Sequence, residues 1–123
     1  MKDEIGSAIR KAKRAKSAPT KSNWDRDGYL GVPGFSRMGT GGGHAALVAF
    51  LPRHHVLITD DDGGTPMKGG DLVVAVYRGG EAAVEREGGV GGETPVADHE
   101  ISGAGRLASL DRLVLDLQKK YGA

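Results

Sequence analysis

Apolar positions along this chain change period twice, from helical to strand spacing and back, and each stretch predicts its own element. From Lys2 to Lys16, "KDEIGSAIRKAKRAK" puts Ile5, Ala8, Ile9, Ala12 and Ala15 on one face of a 3.6-residue repeat. Cations cover most of the remainder, with Lys16 falling back onto the stripe, and Asp3 and Glu4 stand at the start as the helix dipole prefers. The stripe is thin and mostly alanine, so this helix is marginal without a partner. Pro19 is expected to end it.

Four segments then carry a strand signal: "HAALVAFL" (44–51), "HHVLIT" (54–59), "DLVVAVYR" (71–78) and "EAAVERE" (81–87). Pro52-Arg53 and Gly79-Gly80 have the length of hairpin turns, and the Gly-Gly pair tolerates positive φ. In the fourth segment Ala83, Glu85 and Glu87 alternate with Ala82, Val84 and Arg86, predicting an edge strand with one wet face. "DDDGGTPMKGG" (60–70) is too long for a tight hairpin and is expected to project as a loop. "WDRDGYLGVPGF", Trp24 to Phe35, is expected to be an aromatic loop packed on the core, and "GGVGGETPVADHEISGAG" a second glycine-rich connector.

The helical period returns at the end, where Leu107, Leu110, Val114, Leu117 and Tyr121 recur at spacings of three and four, with Leu113 beside them. Ser109 is placed to cap the main portion, with Lys119 and Lys120 near its end and Gly122 after it. The predicted fold is α+β: an N-terminal basic helix, a four-stranded, mainly antiparallel meander sheet, and a C-terminal amphipathic helix packed on the sheet. Residues 1–21 form a basic helical arm and 22–123 a single domain. The expected core is Leu47, Val48, Phe50, Val56, Ile58, Leu72, Val74, Val76, Leu110, Val114 and Leu117.

The net charge of +1 over 123 residues hides an asymmetry. Residues 1–21 carry seven Lys or Arg against two acidic side chains, a balance of +5; the rest carries ten against fourteen, a balance of −4. A basic arm on a mildly acidic body points to a polyanionic partner. The chain contains no cysteine, which excludes disulfides and thiolate metal sites. No apolar run approaches the roughly 20 residues of a membrane span, and the basic start has no apolar h-region, so no membrane partner and a cytoplasmic location are expected.

Candidate chemistry changes this picture little. Four glycines fall within Gly39–Gly43, but no lysine follows as a P-loop needs. A dinucleotide pattern started at Gly41 reaches Ala46, a permitted variant; however, the run precedes a strand and leaves no helix N-terminus for phosphate. It is predicted to be a flexible approach to a core strand. Asp60 and Asp62 share calcium-loop spacing, yet the twelfth position is Asp71 and the glycine pattern differs, so a solvated acidic turn is expected and no metal is assigned. His54 and His55 are adjacent on a strand and face opposite ways. No serine sits in a Gly-x-Ser-x-Gly elbow. No catalytic residue and no cofactor are assigned, and an enzyme is not the expectation.

The leading expectation is a small non-enzymatic binding or regulatory protein, an inhibitor or accessory factor of the kind phages and other mobile elements encode. Arg10, Lys11, Lys13, Arg14, Lys16 and Lys21 would engage nucleic acid or a nucleoprotein complex, and the closing helix offers a homodimer interface. The alternative is a small ligand-binding or hydrolytic domain, with a pocket between loops 39–43 and 60–70 built from His44, His55, Asp60 and Asp62.

Overall fold

The computed structural model describes residues 21–41, 43–91 and 94–122. The predicted basic helix lies outside them. A two-stranded antiparallel ribbon pairs β1 (Asn23–Trp24) with β2 (Leu30–Gly31). A five-stranded sheet follows, made of β3 (Ser36–Gly41), β4 (His44–Phe50), β5 (His54–Asp60), β6 (Leu72–Arg78) and β7 (Ala97–Ile101). Helix α1 (Glu81–Glu87) intervenes between β6 and β7, and α2 (Arg106–Tyr121) closes the order. The strands lie side by side in chain order, and each pair is antiparallel.

Near-continuous apolar runs in β4, β5 and β6 bury both faces of the central strands. On one face the register aligns Leu47 with Ile58 and Val74, and Val56 with Val76. Leu110, Val114 and Leu117 of α2 pack onto this face, joined by Leu30 and Val32 from the ribbon and its exit and by Ile101 from β7. The aromatic loop therefore packs on the core as predicted, through a short ribbon. On the opposite face Ala46, Val48 and Leu57 are buried, with Met38, Phe50, Tyr77 and Val90 packed against them. Phe50 is half-buried in this second cluster, away from the helix-facing core to which most of the expected set belongs.

Several expectations need correction. The sheet has five strands, not four: "SRMGTG" and "ADHEI" add one at each edge. "EAAVERE" is α1 and not an edge strand. Glu, Ala and Arg are strong helix formers, and Val84 alone is buried, so local propensity outweighs the weak alternation. Gly88, at φ +83°, ends the helix in the left-handed region with its N–H turned to the Val84 and Glu85 carbonyls. Gly79-Gly80 accordingly makes no hairpin turn. Gly80 passes so close to the β4–β5 turn that a Cβ there would lie 2.6 Å from the Pro52 carbonyl oxygen.

The glycine run is also more than a lead-in. Gly39 and Gly41 belong to β3, with a register shift between them, and Gly43 takes φ +81° in the turn to β4. Asp60 belongs to β5, and the loop after it folds back rather than projecting. Met67 bridges to Tyr29, the Lys68 N–H donates to the Gly28 carbonyl at 2.7 Å, and Gly64 and Pro66 are buried. Finally, α2 starts at Arg106 after Gly105, so Ser109 lies inside the helix and does not cap it.

Candidate partner-binding site

The cations Arg10, Lys11, Lys13, Arg14 and Lys16 lie outside the described residues. Lys21 is exposed, and its neighbour Ser22 fixes the point where the arm meets the body. Ser22 is only 7% exposed. Its N–H donates to Asp111 Oδ1 at 3.0 Å, and its hydroxyl donates to the same oxygen. A carboxylate acceptor makes both bonds charge-assisted, the stronger class of hydrogen bond. The clasp ties the root of the arm to the middle of α2.

Beside the clasp runs a groove of about 270 Å³. Val32, Pro33 and Gly34 form one wall; Asp111, Val114, Leu115 and Gln118 of α2 form the other. Spacings of three and four residues place these α2 side chains on one stripe. Leu115 is 59% exposed, an unusual state for a leucine that lines an apolar trough.

The two loops of the alternative reading emerge at one end of the sheet, as a meander requires. The Ala45 N–H donates to Thr65 Oγ1 at 2.9 Å, joining the β3–β4 and β5–β6 connections. A methyl group on Gly64 would sit 3.1 Å from His44 Nδ1 and 3.1 Å from Asp60 Oδ2, so these two side chains converge over that glycine. Asp60 Oδ1, however, already accepts the N–H groups of Asp62 at 2.9 Å and Gly64 at 2.6 Å. That carboxylate holds its own loop in shape. Asp62 is exposed. Among the described residues, no group of three His, Asp or Glu side chains is placed to hold a metal ion.

His55 is not brought to this end. It lies near the start of β5, 1% exposed, between Phe50 and Tyr77, with ring centroids 6.3 and 5.6 Å away. Its Nδ1 is 2.8 Å from the Gly79 carbonyl, and its Nε2 is 2.8 Å from the Gly91 N–H. A carbonyl only accepts and an amide N–H only donates, so the pair assigns the neutral imidazole with its proton on Nδ1. His54 faces the other way, 4.9 Å from the Tyr121 ring. The opposite orientations follow from strand geometry, as predicted.

Sequence reasoning missed the cation–aromatic pairs of the body. The Arg37 guanidinium lies 4.6 Å from the Tyr29 ring centre, and that of Arg106 lies 5.3 Å from the Trp24 ring. The aromatic density of residues 24–35 was the available signal, but partners at Arg37 and Arg106 come from tertiary placement. No helix among the described residues is long and apolar enough to cross a membrane. No protein-family model matches the chain, and no curated protein or solved structure matches it either.

Proposed function

We propose that this chain is a small binding or regulatory protein whose basic arm engages nucleic acid or a nucleoprotein complex, as an inhibitor or accessory factor of the kind mobile elements encode. The observation that carries this reading is the division of charge, +5 in residues 1–21 against −4 in the remainder. Cations gathered on one segment gain affinity for a polyanion by releasing its counterions, with no need for sequence readout. The acidic body does not compete for the same partner. The Ser22–Asp111 clasp supports the reading by giving the arm a fixed root.

The convergence of His44 and Asp60 favours a second reading, a small-ligand or hydrolytic site at the loop end of the sheet. The engagement of Asp60 Oδ1 with two backbone N–H groups weighs against a catalytic role for that carboxylate. The arm is the stronger reading.

The test is a salt titration of binding to labelled duplex DNA and single-stranded RNA. Four phosphate contacts give a log–log slope of about −3.6 on duplex DNA, at about −0.9 per contact. Replacing Arg10, Lys11, Lys13 and Arg14 together by Ala should remove most of that slope and leave the melting transition near that of the parent. Absence of binding to DNA, RNA or nucleoprotein at low salt overturns the reading. Undiminished binding by the quadruple variant overturns it as well.

A further inference from the structure

We infer that the groove between α2 and residues 32–34 seats the apolar stripe of this chain's own arm, Ile5, Ile9 and Ala12, as a short helix docked in cis. This inference stands on the groove and does not rest on nucleic-acid binding. Three observations converge on that occupant.

The first is connectivity. Asp111 lines the groove and also holds Ser22, so the chain immediately before Ser22 starts at the groove's rim. Residues 17–21, "SAPTK", leave the predicted helix at Pro19 and reach at most about 17 Å when extended. A tether this short keeps the arm at an effective concentration in the millimolar range, so weak contacts suffice to seat it.

The second is chemistry. Leu115 and Val114 present apolar surface in the groove, and the arm's stripe is apolar, narrow and rich in alanine, which permits close helix–helix approach. A groove of about 270 Å³ receives side chains from one helix face and not a folded domain. Among the described residues lining the groove, Asp111 is the charged one, a favourable neighbour for a cationic segment.

The third is length. Fifteen helical residues span about 22 Å at 1.5 Å per residue, close to the sixteen-residue α2. Docking also supplies the partner that the thin stripe needs to remain helical. With the stripe seated, Arg10, Lys11, Lys13 and Arg14 lie beside or opposite the docked face.

The cysteine-free sequence permits a direct test in the whole 123-residue chain. One variant carries Ile9→Cys with Leu115→Cys. A control carries Ile9→Cys with Glu87→Cys, a position that lines the opening beside Tyr77 on the other face of the sheet. Under mild oxidation the first pair should form an intramolecular disulfide at least about tenfold faster than the control, independent of protein concentration. A concentration-dependent cross-linked dimer overturns the inference in favour of a second copy in the groove. Equal rates, or no cross-link, overturn it outright. A second measurement uses the unmodified arm: amides of residues 8–15 should exchange about tenfold faster in Leu115→Asp than in the parent. Because Leu115 is exposed in the body, this substitution spares the core. Unchanged exchange overturns the inference, including the case in which the groove serves a foreign partner. The quadruple Ala variant of the cations keeps the cross-link while losing polyanion binding, so the two readings fail separately.

Discussion

The two faces of the sheet are covered by different means. One carries a sixteen-residue amphipathic helix whose Leu110, Val114 and Leu117 interlock with Val56, Ile58, Leu72, Val74 and Val76. The other carries Val90 and Gly91, which follow α1, and Val96 before β7, with the His55 imidazole bonded to this segment. There, a Cβ added to Gly91 would lie 3.7 Å from the Leu57 side chain, and the Gly91 N–H donates to His55. The Val96 N–H then donates to the Val76 carbonyl at 2.7 Å. The first face is held by apolar area and the second by placed polar contacts over a small apolar cluster. The contrast predicts that the helix cover tolerates loss of a single polar bond, whereas the segment bonded to His55 depends on it.

The largest expected effect tests the helix-covered face. Leu117→Ala removes a side chain only 4% exposed and should cost about 2–4 kcal/mol, from lost transfer energy plus the residual cavity. Urea denaturation followed by circular dichroism measures it, and an unchanged midpoint would show that the α2 stripe is not buried. His55→Ala tests the other face. It leaves the Gly79 carbonyl and the Gly91 N–H without their partner; both residues are half-buried, so water reaches them in part and a total cost of about 1–3 kcal/mol is expected. The signature that separates the faces is hydrogen exchange at the Val96 amide, which should quicken in His55→Ala at conditions where the amides of α2 hold. Combining the two substitutions should give nearly additive losses, because they act on opposite sides of the sheet. The smallest effect is expected from Ser22→Ala, about 0.5–1.5 kcal/mol, since the backbone N–H of residue 22 keeps its bond to Asp111. A denaturation midpoint indistinguishable from the parent would show that the hydroxyl contributes nothing.

The same contrast explains how much was legible in the sequence. Leu110, Val114 and Leu117 announce a helix by their spacing, and the runs in β4 to β6 announce buried strands, so one face of the fold could be read directly. "EAAVERE" was ambiguous because Ala83, Glu85 and Glu87 alternate with Ala82, Val84 and Arg86 at period two, while Glu, Ala and Arg also favour a helix. "SRMGTG" and "ADHEI" carry too few apolar residues to signal strands, because each is paired along a single edge only. In β7 the exposed Asp98, His99 and Glu100 suit an edge that resists pairing with another chain. The opposed orientations of His54 and His55 followed from strand periodicity. Their partners did not, since Gly91 and Tyr121 come from elements 36 and 67 residues further along. The approach of His44 to Asp60 depends on which loops share an end of the sheet. The Ser22–Asp111 bond spans 89 residues, a distance over which local pattern carries no information.

That span has a kinetic consequence. Adjacent strands of the meander join residues close in sequence, such as Leu47 and Ile58, eleven apart. Closing the 89-residue separation of Ser22 and Asp111 spans about three further doublings of loop length, an added entropic cost of about 2 kcal/mol. Hairpins β4–β5 and β5–β6 are therefore expected to structure the folding transition state, with the clasp forming on the downhill side. In stopped-flow measurements Ser22→Ala should hasten unfolding and leave the refolding rate almost unchanged. The contact that roots the arm is thus expected to form late and open early, and release of residues 21–24 from α2 need not wait for the sheet to unfold.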